Sequence, residues 1–179
     1  MVAAPKTLAQ ANRKLVWVPA GGIVSILAPK VTELVAAGVV DLSCLVTKAD
    51  YTLGPTGDAQ INDPALCAVG ESTVPGNTTF EASMVFFRSV DTAATPDPLS
   101  DKAWNLFTSK GINGFLVERI GMANSYLTAF AVGDKVRVFG VITGSPMMRP
   151  YPTDGGFEKF TQPFNVQSEQ VNERAVMVA

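Results

Sequence analysis

Between Thr78 and Val90 the chain alternates with a period of two. Phe80, Ala82, Met84 and Phe86 fall on one face, Glu81, Ser83, Val85 and Phe87 on the other, and Arg88 continues the first. That period belongs to a pleated strand, whose successive side chains point to opposite sides, and not to a helix. Both faces turn large and apolar toward the C-terminal end, so that end is expected to be buried on both sides. The same reading gives strands at Lys14–Val18, Val39–Lys48, Phe115–Ile120, Asp134–Thr143, Phe157–Ser168 and Gln170–Val178, with shorter ones at Ile23–Leu27 and Leu66–Val69. Turns are expected at Pro19–Gly22, Pro75–Asn77 and Gly133–Lys135.

Two short helices interrupt this series. In the first, Pro29 stands at the start, Val31, Leu34 and Val35 form an i, i+3, i+4 stripe, and Gly38 ends it. In the second, Ser100 is the expected N-cap and Asp101 suits the first turn. Ala103, Leu106 and Phe107 share a face there, and Gly111 closes the helix. Many strands with few helices predict a mainly β fold, a β-sandwich or barrel with one or two short helices packed on it.

Three segments have no period. Residues 1–13 are small and polar and read as a flexible arm. Residues 49–64 are rich in Gly, Pro, Asp and Thr and read as a long loop or irregular hairpin, and loops of that length are usually functional. Residues 144–156 contain Pro146, Pro150 and Pro152, which exclude a central strand and leave an extended segment. The rest of the 179 residues, 14–179, is expected to form a single domain.

Composition then removes most chemistry. The chain has no histidine, which excludes Ser-His-Asp and Cys-His catalysis and histidine-bound zinc. Cys44 and Cys67 are too few for a disulfide framework and are expected as small buried apolar residues. Fourteen basic residues against sixteen acidic ones provide no basic stripe for nucleic acid. Only 17% of residues are charged, below the usual ~25%, so part of the surface is expected to be covered by a partner. The apolar run Leu15–Pro29 follows Arg13 and Lys14 as a signal peptide would. Pro19, Gly21 and Gly22 break it, and about 18 apolar residues are needed to span a bilayer. No membrane partner is expected, and without an export signal the default compartment is a reducing cytoplasm.

The remaining candidates are weak. Asp50, Asp58 and Asp63 share one segment but match no calcium loop and read as turn acids. Glu33, Glu71, Glu81 and Glu118 have nothing in the sequence that pairs two of them. Lys110, Arg119, Lys135 and Arg137 read as solvent or interface charges. Phe157, Phe160 and Phe164 interleave with Glu158 and Lys159 and are expected to pack rather than stack on bases. Asn77-Thr78-Thr79 is a glycosylation sequon that matters only in a secreted chain. Glycine-rich phosphate loops and nucleophile motifs are absent. No catalytic, cofactor-binding or metal-binding residue is nominated, and no cofactor is expected. A ligand-binding β-sandwich stays open, with Trp17, Trp104 and Tyr151 as the aromatics that would have to meet in one pocket.

Taken in order, several segments resemble a major tail tube protein of a long-tailed, siphovirus-type phage, closest to those of actinobacteriophages. They are the Pro29–Gly38 helix running into Val40-Asp41-Leu42-Ser43, then Leu66-Cys67, Gly76–Ala82, Phe86-Phe87-Arg88, and the Asp101–Gly111 helix. Gly114–Arg119, Gly133–Val136 and Lys159-Phe160-Thr161 complete the set. The resemblance implies a non-enzymatic β-sandwich subunit of the virion tail. Six copies would close into a ring, and rings would stack into a tube through which genomic DNA passes without specific binding. It also implies arms and a long loop bridging neighbours, assembly in the host cytoplasm, and contact with tape-measure, tail terminator and distal tail proteins. A ring-forming head–tail connector or terminator is the alternative within the same virion.

Overall fold

A computed structural model describes residues 11–67, 69–70, 73–88, 101–121, 124–150 and 156–179. Among these, eight strands form one antiparallel sheet: β1 (Arg13–Pro19), β2 (Val40–Asp41), β3 (Val46–Ile61), β4 (Val74–Phe87), β5 (Asn113–Ile120), β6 (Lys135–Thr143), β7 (Met147–Met148) and β8 (Lys159–Val176). The order across the sheet is β2-β1-β5-β6-β8-β4-β3, with β7 paired to β8 off that path. The fold is therefore mainly β, as the alternation predicts. It is one sheet rather than two facing ones, and the reason lies in its ends.

The outermost strands, β2 and β3, are consecutive in the chain and separated only by Leu42–Leu45. That turn bonds to both flanks of the sheet: Leu42 N–H donates to the Leu15 carbonyl in β1, and Phe87 N–H of β4 donates to the Leu45 carbonyl. A seven-strand path whose two ends meet across four residues must roll, which twisted sheets do readily. The inner face then closes on itself. Leu15, Trp17, Leu42, Leu53, Met84, Phe86, Leu116, Phe139, Phe160 and Phe164 form one buried cluster.

The helix α1 (Lys102–Leu106) is a single turn that seals this interior with Ala103 and with Phe107 just beyond it. Phe107 meets Trp17 edge-on at 5.2 Å and Phe164 at 5.3 Å, while Trp104 meets Phe160 at 5.0 Å. Such edge-to-face pairs add to the burial term. Gly114 is required here, because a Cβ on it would stand 2.3 Å from the Trp17 ring.

The outer face of β1, β5, β6 and β8 carries a second cluster: Val16, Val18, Val117, Val136, Val138 and Ala175. Segment 20–39 covers it with Ile23 and Leu34, and the β5–β6 connection covers it with Phe130. The expected helix at Pro29–Gly38 is only a 3-10 turn, Val31–Leu34, whose Lys30 N–H donates to Glu33. The expected strand Ile23–Leu27 does not form. Ile23 points into the outer cluster and the chain bends, with Gly21 at φ +77°.

Other expectations change where tertiary pairing overrides local composition. Of the long loop or irregular hairpin expected at 49–64, the irregular hairpin forms: residues 49–61 are the body of β3, which pairs with β4 through to Ile61, and 62–64 lie beyond it. Its Pro and Gly residues are tolerated because β3 is an edge strand and its register shifts between Val46 and Tyr51, Pro55 and Gly57, and Asp58 and Gln60. The expected turn Pro75–Asn77 lies within β4. Of the expected strand Leu66–Val69, the described residues Leu66, Cys67 and Val69 lie in turn or bend rather than strand. Val39–Lys48 divides into β2, the closing turn and the start of β3, whereas Phe157–Ser168 and Gln170–Val178 merge into the single strand β8. Within 144–156, Met147 and Met148 pair with Thr161 and Phe160. Ser100, the expected N-cap, lies outside the described residues, and Asp101 holds that position.

Phe107→Ala should lower stability by about 3–5 kcal/mol, because three rings lose a neighbour and the cavity cannot collapse. Urea unfolding followed by tryptophan fluorescence tests this, and a loss below 1 kcal/mol would refute the sealing role.

Candidate assembly site

Buried charge ties the strands together at the root of the β3–β4 hairpin. Glu118 of β5 is fully buried on the inner face. Its Oε1 accepts hydrogen bonds from Arg13 Nη1 (2.8 Å) and from the Tyr51 hydroxyl (2.8 Å), and its Oε2 accepts from Arg137 Nη1 (2.8 Å). Arg137 also donates to Glu173 of β8. Four strands, β1, β3, β5 and β6, thus meet at one carboxylate, which needs its three donors because an unpaired buried charge is strongly unfavourable, and Glu173 ties β8 to the network through Arg137. Gly54 lets β3 cross this network, since a Cβ on it would stand 2.7 Å from the Arg137 guanidinium. Burial, reinforced by Glu118, pushes the Tyr51 phenol well above its usual 10.0, so it remains a donor. Burial opposes the charge on Arg137, but Glu173 and Glu118 outweigh it and hold its pKa above the usual value.

The neighbouring residue does the equivalent on the outer face. Arg119 is buried, and its guanidinium donates to the Ser125 hydroxyl, to Asp134, and to the carbonyls of Ser125, Thr128 and Ala129. Its Cζ lies 5.0 Å from the centre of the Phe130 ring. One side chain therefore organises the β5–β6 connection. Arg119 and Arg137, read from sequence as solvent or interface charges, are internal anchors. The sign of this in the sequence is a Glu-Arg pair inside the apolar run Phe115–Ile120.

Beyond this root the hairpin projects from the core. From Pro55 to Ile61 every residue of β3 is exposed, and β4 is largely exposed from Val74 to Thr79. Hydroxyls hold the two strands: Thr78 donates to Asp58 (2.6 Å) and Thr79 donates to the Gly57 carbonyl (2.9 Å). Ile61, Leu66, Val69 and Val74 are exposed around the tip. Isolated exposed apolar residues are ordinary, but several gathered at the end of a projecting element mark a contact surface.

At the hairpin's root, between β1 and the start of β3, opens a cleft of about 730 Å³ whose walls include Arg13, Leu15, Leu42, Cys44, Lys48, Tyr51 and Tyr126. Cys44 and Cys67 are both exposed, contrary to expectation: one lies in the closing turn, whose Leu42 takes the buried position, and the other in the hairpin tip. Trp17 is core and Trp104 packs under Arg88 at 4.1 Å, so they line no shared pocket, and Tyr151 lies outside the described residues. Phe160 and Phe164 are core, and Phe157 packs edge-on against Phe87. Asp50 pairs with Arg149 and Asp58 with Thr78, and among the described residues no acidic or cysteine cluster suits a metal ion. Among these residues, no helix is long and apolar enough to cross a membrane. Of the arm, residues 1–10 lie outside the described residues. Ala11 and Asn12 are bonded to the body through Ser125 N–H and Gly121 N–H.

A family model described as phage tail tube protein matches residues 1–179. Among solved structures, the chain is similar to a chain of the cryo-EM structure of the anti-feeding prophage (AFP) baseplate, 6-fold symmetrised. That likeness has a TM-score of 0.50 at 11% identity and covers 93% of this chain and 94% of that one, so what is shared is the fold. No curated protein matches the chain.

Glu118→Gln should cost about 3–5 kcal/mol in a denaturant melt, because Arg13 and Arg137 lose their common counter-charge. Tyr51→Phe should cost about 1.5–3 kcal/mol at neutral pH. Because folding raises the Tyr51 pKa, its contribution is complete below pH 10.0 and is lost as the pH climbs beyond it. Melting temperatures recorded across alkaline pH should therefore fall more steeply for the native chain than for Tyr51→Phe. Parallel curves would refute the buried phenol.

Proposed function

The chain belongs to the phage tail tube protein family, and from that premise we propose how this structural component of a phage tail assembles. Copies contact one another head to tail, close into a six-membered ring, and stack into the tube of a long-tailed phage. The lumen conducts genomic DNA without binding it specifically. Domain 14–179 is the ring-forming unit, and the segments 1–13, 49–64 and 144–156 bridge neighbouring copies. The work is mechanical and non-enzymatic. Assembly takes place in the host cytoplasm with tape-measure, tail terminator and distal tail proteins as further partners.

One observation carries this reading: a hairpin with its root locked by buried charge and its outer half left exposed by the described residues of its own chain. A free edge strand that long is a hazard in a monomer, and natural proteins keep such edges short or covered. Coverage by another copy removes the hazard, and a heterologous contact propagates into rings when the rotation closes. The six-fold count is what the resemblance to the family implies, and the similar solved chain sits in an assembly described as 6-fold symmetrised.

Electron microscopy of the concentrated protein should show tubes of uniform diameter with a regular axial repeat. Isolated rings that never stack would favour a terminator or connector. Removing residues 1–10 spares Ala11, Asn12 and Arg13, which are bonded into the body, so the shortened chain should fold. It should form no tubes, and unchanged tube formation would remove the arm from the assembly.

A further inference from the structure

From Ala49 to Phe87 the sequence contains five acidic residues, Asp50, Asp58, Asp63, Glu71 and Glu81, and neither lysine nor arginine. The outer hairpin therefore presents acid and exposed apolar groups together: Asp58 and Asp63 beside Ile61, Leu66, Val69 and Val74. The cleft at the hairpin's root has the opposite character. Its walls carry Leu15, Leu42 and Tyr51, and its cations are Arg13, whose side chain is 44% exposed, and Lys48, which is exposed and has no ion-pair partner among the described residues. The one carboxylate in that wall, Glu118, is already shared between Arg13 and Arg137.

We propose that the tip of the β3–β4 hairpin, around residues 58–74, docks in this cleft on a second copy of the chain. This rests on the head-to-tail reading above and names the receptor for its projecting element. The hairpin cannot fill its own cleft. The cleft lies at the first residues of β3, and a 16-residue strand runs roughly 50 Å to its far end. Donor and receptor are thus opposite ends of one element, and each copy uses both. That arrangement is heterologous and extends from copy to copy without a symmetric dimer. Apolar side chains around the tip would bury against the half-buried Val46, Tyr51 and Tyr126, while Asp63 would meet Lys48 at the rim. A rim pair of this kind governs association rate and partner choice more than affinity, so the contact should weaken with salt.

The two exposed cysteines report this geometry directly, since Cys44 stands in the cleft wall and Cys67 in the tip. A short bis-maleimide added to the assembled full-length protein should yield a ladder of dimers, trimers and longer chains on a denaturing gel. Cys44→Ser and Cys67→Ser alone should each give no cross-linked product, and an assembled mixture of the two variants should yield dimers only. Lys48→Glu, checked for folding by circular dichroism, should reduce cross-linking about ten-fold. Combining it with Asp63→Lys should restore the ladder. Tubes without a ladder would overturn the docking and leave the tube reading intact. A ladder dependent on both cysteines but without tubes or rings would support the docking and overturn the tube. Cross-linked dimers in either single variant alone would overturn the docking, because one cysteine per copy can join only like to like.

Discussion

Four residues, Leu42 to Leu45, join the two outermost strands of the sheet, and the curvature of the whole molecule follows from that short connection. A flat sheet of this order would hold β2 and β3 apart by its full width. With the ends tethered, and with Leu15 and Phe87 bonded to the tether itself, the inner face must enclose a core. The interior is wide enough to need more than strand side chains, and α1 with Phe107 supplies the remaining volume. Rolling also determines which face of each strand is interior, so β1 and β5 can be apolar on both sides without contradiction. One side fills the roll and the other receives segment 20–39.

Adjacent residues of β5 use the two sides differently. Glu118 points inward, where a carboxylate survives only with three donors around it. Arg119 points outward and exhausts its guanidinium on the connection that folds over it. Buried ion pairs of this kind contribute little net stability over an apolar core of the same shape, yet breaking one is severe. Their effect here is geometric. Four strands are held at one point, and the hairpin leaves the body from that point in a defined direction.

The hairpin itself has two physical halves. Near its root, Leu53, Ala82 and Met84 are buried and the pairing runs unbroken from Tyr51 to Pro55. Farther out, bulges, threonine hydroxyls and Gly57 replace packing, and among the described residues nothing covers the strands. An element stabilised at one end and unpartnered at the other suits a tail subunit, which must fold alone and then meet its neighbours.

Period-two alternation marks β4 and β6, and short apolar runs beside turn residues mark β1 and β5, all of them local properties. The absence of histidine and of nucleophile motifs was equally legible, and so was the ordered set of segments that marks the family. What the sequence could not contain was the partner of each strand. Residues 49–64 look like a loop or irregular hairpin because Pro55, Gly54 and Gly57 disfavour a strand in isolation. Residues 49–61 form one because β4 offers a ladder and the open edge forgives a missing N–H. Cys44 and Cys67 look like core residues because their neighbours are apolar, but both are exposed, Cys44 in the closing turn whose Leu42 takes the buried position and Cys67 at the tip. Glu118 and Arg137 are 19 residues apart in sequence and Arg13 a further 105 away. Only the roll, which is set by the closing turn and by no local pattern, brings their charges to one place.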